Sequence, residues 1–294
     1  MTGVLEQGFI FCIMALGVYI TFKILNFPDL TVDGTFPLGA SVTAVLLLKD
    51  VNPLLVCIVS VLAGMIAGLI TGVLHVKFKI SNLLSGILVM LALYSVNLRI
   101  MGKANTPFFN ERTVFSTNMP SLLVVAVLGF FIKFLLDILF KTKFGFILRA
   151  TGDNPNMVTS LGIDIGLIKI LGIMMANGLV ALSGSVMAQY QRFSDVGMGT
   201  GVMIMGLASI IMGESILRAM PVKFGTSCAI IGSLLYKGSI ALALKAGFPA
   251  TDLRLITSVI VITALVLYNG SLNIGFRKRL HLGGVKAAAN SKSV

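Results

Sequence analysis

Apolar residues come in long blocks along this chain, and polar residues gather in short stretches between them. A helix that crosses a bilayer needs about 20 largely apolar residues, and fewer inside a bundle. On that rule the pattern predicts helices at residues 8–25, 36–48, 53–76, 83–101, 121–140, 165–190, 202–217, 226–244 and 253–268. The expectation is an all-α fold, a polytopic membrane bundle of about nine segments, some broken or re-entrant. Residues 1–276 form one transmembrane domain on this reading, and residues 277–294 a basic tail. The first apolar run has neither a basic leader nor a cleavage site after it, so it is expected to stay as a helix.

Two interruptions break the apolar pattern. The stretch NFPDLTVDGTFPLGA, residues 26–40, places prolines, aspartates and glycines inside otherwise apolar sequence. Proline removes a backbone donor, so a smooth helix is not expected there, and irregular backbone at membrane depth must be buried in protein or line water. Asp29 and Asp33 then either sit at the cytoplasmic edge, with Asp33 or Thr35 capping the next helix, or face a pathway. The second interruption, SDVGMGTGVMIMG at residues 194–206, is a glycine-rich loop running into a helix. It is read either as a tight external turn or as backbone offered to a small polar solute. Two further runs, AGMIAGLITG (63–72) and ANGLVALSGS (176–185), are rich in small residues and allow helices to approach closely. Their likeness is compatible with a duplicated half and equally with chance enrichment of small residues.

Composition agrees with the membrane reading. Of 294 residues, 56% are hydrophobic and only 12% charged, and the mean hydropathy is +0.99. The net charge of +12 lies mostly between apolar runs and in the tail, which suits cytoplasmic loops beside anionic lipid and removes any need for nucleic acid as a partner. Counting from a cytoplasmic tail puts Lys77, Lys79, Lys141, Lys143, Arg149, Arg218 and Lys223 on the tail's side. Lys103 and Arg112 fall on the opposite face, a mild breach of the rule.

Cys12, Cys57 and Cys228 lack metal or disulfide spacing and read as small buried hydrophobes. His75 and His281 read as helix-end residues. Neither a nucleotide-binding, metalloprotease nor nucleophile-elbow motif is present, so any ATP must be bound by another chain. Within the spans, Lys133 and Asp137 are spaced to pair, as are Glu214 and Arg218. Lys237 is expected to snorkel, and Asn97, Asn177 and Gln189 to bond between helices or line a path.

The stretch RATGDNPNMVTSLGI, residues 149–163, is polar and locally complete. Asn154 is a good N-cap, Pro155 suits the first helical position, and Met157, Val158 and Leu161 fall on one side of a helix about two turns long. Gly162 supplies a left-handed terminator, and Ile163 can fold back onto Val158. So short a helix does not stand alone in water. It docks either on its own protein's surface or in a groove of a soluble partner.

The longer run FGFILRATGDNPNMVTSLGI, residues 144–163, resembles the cytoplasmic coupling segment of bacterial ABC-importer permeases of the branched-chain amino acid and ribose type. The usual form there is a glycine-led Arg-Ala-x-Gly-Glu-Asn-x, then a short helix ending Gly-Ile. Arg149, Ala150, Gly152, Asn154, Gly162 and Ile163 match it, Asp153 replaces the commoner Glu, and Val158 replaces a frequent small residue. The resemblance covers most of the chain. Residues 26–40 and the stretch GFPATDLRLIT near the end are similar to the subgroup paired with tryptophan- or tyrosine-type binding proteins.

What the resemblance implies is specific. This chain would be a permease subunit in a bacterial cytoplasmic membrane, multi-pass with a cytoplasmic C-terminus, forming a homodimer with a second permease subunit. Two copies of an ABC ATPase subunit would dock on Arg149, Gly152, Asp153, Asn154, Pro155, Met157, Val158, Leu161 and Gly162. An extracytoplasmic substrate-binding protein would deliver a small organic solute, an amino acid and by subgroup an aromatic one. ATP and Mg would belong to the partner, leaving this chain no cofactor, metal site or catalytic residue. Ser85, Asn97, Gly199, Gly201, Met205 and Ser209 are the small, polar or adaptable groups expected along the pathway. The alternative, an ion-coupled secondary transporter, would need a buried coupling group that does not stand out. An intramembrane enzyme would need a nucleophile with a partnered base, and a scaffold would leave the capped helix and broken helices without a purpose.

Overall fold

The computed structural model describes residues 2–116, 119–217 and 225–247, with isolated further positions between 249 and 263. The expected helix at 253–268, the basic tail, His281, Lys223 and the Glu214–Arg218 pairing lie wholly or partly outside the described residues.

Among the described residues ten α-helices follow one another: α1 (Thr2–Val18), α2 (Val32–Leu47), α3 (Pro53–Val76), α4 (Asn82–Met101), α5 (Ser121–Leu139), α6 (Lys143–Asp153), α7 (Pro155–Ser160), α8 (Ile165–Gln191), α9 (Val202–Leu217) and α10 (Gly225–Lys245). Seven helical stretches among the described residues are long and apolar enough to cross a membrane, and α2 is a shorter apolar helix of 16 residues. The seven stand beside an expectation of about nine segments. Part of that difference is α2, too short to span by itself.

α1 is buried on every side over most of its length. α8 packs against α1, α2 and α3, so these helices make the centre. α3, α4 and α5 turn apolar faces outward, with Leu54, Ile58, Leu62, Ile66, Phe130 and Phe134 all more than half exposed. Bands of this size on a water-exposed surface would favour aggregation, and in lipid they are the natural outer wall.

Small residues set the central packing. The runs at 63–72 and 176–185, separate in sequence, lie against each other: a Cβ on Gly64 would come within 2.5 Å of the Asn177 carbonyl oxygen, and one on Gly178 within 2.9 Å of Met65 Cγ. Gly39 and Gly184 likewise bring α2 and α8 together backbone to backbone, against Ala181 and Phe36.

The first break falls slightly earlier than expected. α1 continues into a wider π-turn, Tyr19–Ile24, closed by Leu25 N–H to the Ile20 carbonyl at 3.0 Å, and residues 25–31 are not helical. α2 starts at Val32 rather than residue 36 and carries Pro37 inside it. The missing proline N–H leaves the Asp33 carbonyl without its helical donor. Gly199 fills that place, and any Cβ on it would collide with the carbonyl.

An element absent from the sequence reading is a short antiparallel ribbon, β1 (Asn105–Pro107) with β2 (Phe193–Asp195), in which Thr106 faces Ser194. It ties the C-terminal ends of α4 and α8, two ends that the charge pattern had placed on one face.

Candidate coupling helix and buried polar centre

Residues 143–163 form two helices where the sequence predicted one. Thr142 caps α6 by accepting from Gly145 N–H at 3.3 Å, and Gly145, Leu148 and Thr151, three apart, form its buried stripe. That spacing and the threonine cap were the available signals. Arg149 lies with its guanidinium carbon 4.9 Å from the centre of the Phe140 ring. Gly152 presses on the Ile24 carbonyl at the end of the π-turn, leaving no room for a side chain. Asp153 ends α6 in an exposed position.

Asn154 is a hinge between two helices. Its N–H closes α6 on the Ala150 carbonyl at 2.8 Å, and its side-chain oxygen accepts from Met157 N–H at 3.3 Å to cap α7, with Pro155 in the first position. At the other end Gly162 adopts φ +73°. Its N–H donates to Thr159 O at 2.9 Å, and Ile163 N–H donates to Val158 O at 3.4 Å. These are the two bonds of a Schellman terminator.

The three apolar residues of α7 divide. Val158 is 1% exposed and anchors the helix on its own protein, whereas Met157 and Leu161 are 49% and 62% exposed. The three share one side of the helix, within about 100° of arc, but only Val158, at its edge, meets the protein's own surface. Met157 and Leu161, one turn apart, form an outward apolar pair on a rigidly held helix.

Beneath the first break lies a buried polar centre. Asp29, 1% exposed, accepts from Thr31 N–H at 2.9 Å with one oxygen and from the Asn177 amide at 2.7 Å with the other. Asn177 accepts from the Thr35 hydroxyl at 2.8 Å, and the Thr31 and Thr71 hydroxyls meet at 2.8 Å. Every group in this cluster has a partner, as burial requires.

Asp33 does cap a helix, but not its own. Its oxygens accept from Gly201 N–H at 3.0 Å and Met203 N–H at 2.7 Å, so it holds the N-terminus of α9. Local sequence could not reveal a cap supplied from about 170 residues away.

The predicted pathway residues do not form one group. Asn97 lies on α4 facing α2, its amide donating to the Gly34 carbonyl at 3.2 Å. Gly199 packs on Asp33, and Gly201, at φ +81°, donates to it. Ser85 is buried in α4 with its hydroxyl on Asn82 O at 2.8 Å. Ser209 donates to Met205 O at 2.8 Å, and its own carbonyl abuts Gly232 of α10, which puts this pair on the other side of α9.

Several further ionisable groups within the spans have partners. Lys133 and Asp137 pair at 2.5 Å, and the Thr226 hydroxyl also donates to Asp137. Glu214 pairs with Lys23 at 2.7 Å. Lys237 does not run out along its helix as expected; its ammonium sits 3.7 Å from the centre of the Phe11 ring of α1. The ring's negative face offers a cation a nearer partner than distant water. Among the described residues no cluster of His, Cys, Asp and Glu could hold a metal ion.

A bundle of long apolar helices with outward apolar bands and one rigid, capped surface helix defines a multi-pass membrane protein. Residues 1–284 match the family described as branched-chain amino acid transport system / permease component, and the chain belongs to that family. It is a permease of the ABC-transporter type, a transport subunit whose systems include ATPase and substrate-binding partners. It is 48% identical to the tyrosine transport system permease protein of Clostridioides difficile over 94% of this chain and 93% of that one. An uncharacterized protein of Rickettsia prowazekii is 36% identical over 89% of this chain and 95% of its own length. An autoinducer 2 import system permease protein of Salmonella paratyphi B is 26% identical over 80% of this chain and 67% of its own. No solved structure matches.

Proposed function

We propose that this chain is the membrane subunit of a homodimeric, ATP-driven importer of an amino acid, with an aromatic amino acid as the substrate. It works in a bacterial cytoplasmic membrane with its C-terminus and α7 on the cytoplasmic side. The observation that carries the reading is α7: anchored by Val158, capped at both ends, and presenting Met157 and Leu161 outward. Each of two ATPase subunits receives that apolar pair in a groove. Tyrosine as the favoured substrate is supported by the 48% identity to a tyrosine transport permease.

The mechanical route is short. Gly152 of α6 presses on the Ile24 carbonyl, so movement of α6–α7 reaches the π-turn and the break at 25–31. The chain re-enters the bundle at that break, and α2 and α9 meet there through Asp33. ATP binding closes the ATPase dimer, shifts α6–α7, and exchanges an inward-open arrangement for an outward-open one. The site residues on this side are Arg149, Gly152, Asp153, Asn154, Pro155, Met157, Val158, Leu161 and Gly162, and none of them performs chemistry.

The test is reconstitution in proteoliposomes with the partner ATPase and binding protein. ATP-dependent accumulation of labelled tyrosine is expected. Accumulation of tyrosine without ATP and driven by an imposed ion gradient would refute the reading.

A further inference from the structure

Between α2, α4 and the glycine-rich turn at 196–201 lies a partly open cleft of about 250 Å³. This is just below the range of small-molecule pockets, roughly 300–1,000 Å³. Asn97 lines it, and this side chain is fully buried with its Oδ1 unpaired. The orientation of the amide is fixed by chemistry: the Gly34 carbonyl can only accept, so the amide nitrogen must face it, and the orphan atom is the oxygen. At the edge of the cleft, then, stands a buried acceptor to which none of the described residues donates.

The remaining lining has the same character. Asp33 borders it, its carboxylate also accepting from Gly201 and Met203 N–H; Tyr94 adds a half-exposed residue, and Met90 and Leu91 an apolar wall, while among the described residues no cationic side chain borders the cleft. Hydrocarbon cannot fill it without leaving the Asn97 oxygen unsatisfied at a cost. Its occupant must donate hydrogen bonds.

Resting on the importer reading above, we infer that this cleft is a solute subsite in which Asn97 Oδ1 and Asp33 receive the ammonium group of a passing amino acid while Tyr94, Met90 and Leu91 face its apolar side chain. Few polar groups line the cleft, which suits a station on a path, where a solute must leave as readily as it enters.

The test compares variants in the complete reconstituted importer. Asn97→Leu removes the acceptor at similar size and is expected to slow tyrosine uptake about ten-fold or more, the scale of a hydrogen bond to a charged group. Asn97→Gln keeps both an acceptor and an amide donor for the Gly34 carbonyl, which Asn97→Leu also loses, and is expected to remain within about three-fold of wild type. Uptake by Asn97→Leu within two-fold of wild type, or equal loss in both variants, overturns the proposal.

A second measurement needs no change at Asn97 and no transport. Thr200 is exposed at the cleft, and Thr200→Cys places a thiol there. The cationic reagent 2-aminoethyl methanethiosulfonate is expected to label it about ten-fold faster than the anionic 2-sulfonatoethyl reagent, after normalising each to its rate with free 2-mercaptoethanol. Equal normalised rates, or an anionic preference, overturn the proposal. The wild-type uptake rate tests the importer reading, whereas the variant ratio and the labelling preference test the cleft, so the two fail separately.

Discussion

A single polar side chain decides much at the centre of this protein. Asn177 holds Asp29 with its amide and receives the Thr35 hydroxyl with its oxygen, all three buried. Asn177→Ala would strip one buried Asp29 oxygen of its donor, at a cost of about 1–3 kcal/mol, while Thr35 keeps its bond to the Thr31 carbonyl and Asp29 keeps Thr31 N–H. A clear fall in the thermal unfolding midpoint in detergent is expected, and an unchanged midpoint would show that the cluster contributes nothing. Asp33 acts over a longer reach. Asp33→Ala removes the cap on α9 and should cost about 0.5–2 kcal/mol. Hydrogen exchange at residues 201–206 should speed up while that at the start of α2 stays slow; the reverse order would return Asp33 to the role of capping its own helix.

At the scale of elements, what the sequence revealed depended on how local each cause was. The cap at Asn154, Pro155 in the first position and the Gly162 terminator are all encoded within ten residues, and each is found where it was read. The small-residue runs announced close packing, yet nothing in them announced that they pack on each other. The π-turn, the partner of Asp33 and the pairing of β1 with β2 depend on residues far apart in the chain, and no periodicity carries such information. α6 was overlooked because its short buried stripe merges into the apolar sequence around it. The exposed Met157 and Leu161 could not be told from buried Val158 until the surface beneath α7 was known.

The same logic yields a prediction for the terminator. Gly162 has no neighbouring atom within 4 Å of a built Cβ, so space is not the constraint; its φ of +73° is. A branched residue in that conformation costs about 1–2 kcal/mol. Gly162→Val should therefore insert and fold but lose ATP-driven uptake as α7 frays. Uptake at the wild-type rate would show that the geometry of the terminator is dispensable.

For the whole molecule, apolar surface is divided between two uses. The broad outward faces of α3 and α5 suit lipid, and their residues are individually replaceable by other apolar ones. The pair on α7 is small, isolated and fixed in direction by caps at both ends. Between them, the close glycine contacts of α2, α3 and α8 and the buried polar centre leave the middle of the bundle with no slack. On the proposed mechanism, motion applied at α6–α7 would pass through the Gly152–Ile24 contact into the break before α2.

The central claim is that Met157 and Leu161 are the contact through which the ATPase moves this chain. The direct measurement is co-purification of the ATPase with the wild-type chain and with the Met157→Ser/Leu161→Ser variant, alongside the unfolding midpoint of each permease alone. Because both side chains are exposed, the midpoints should agree to within a few degrees while ATPase recovery falls about ten-fold or more. Equal recovery with both chains would contradict the claim, and would place the ATPase contact elsewhere on the cytoplasmic face.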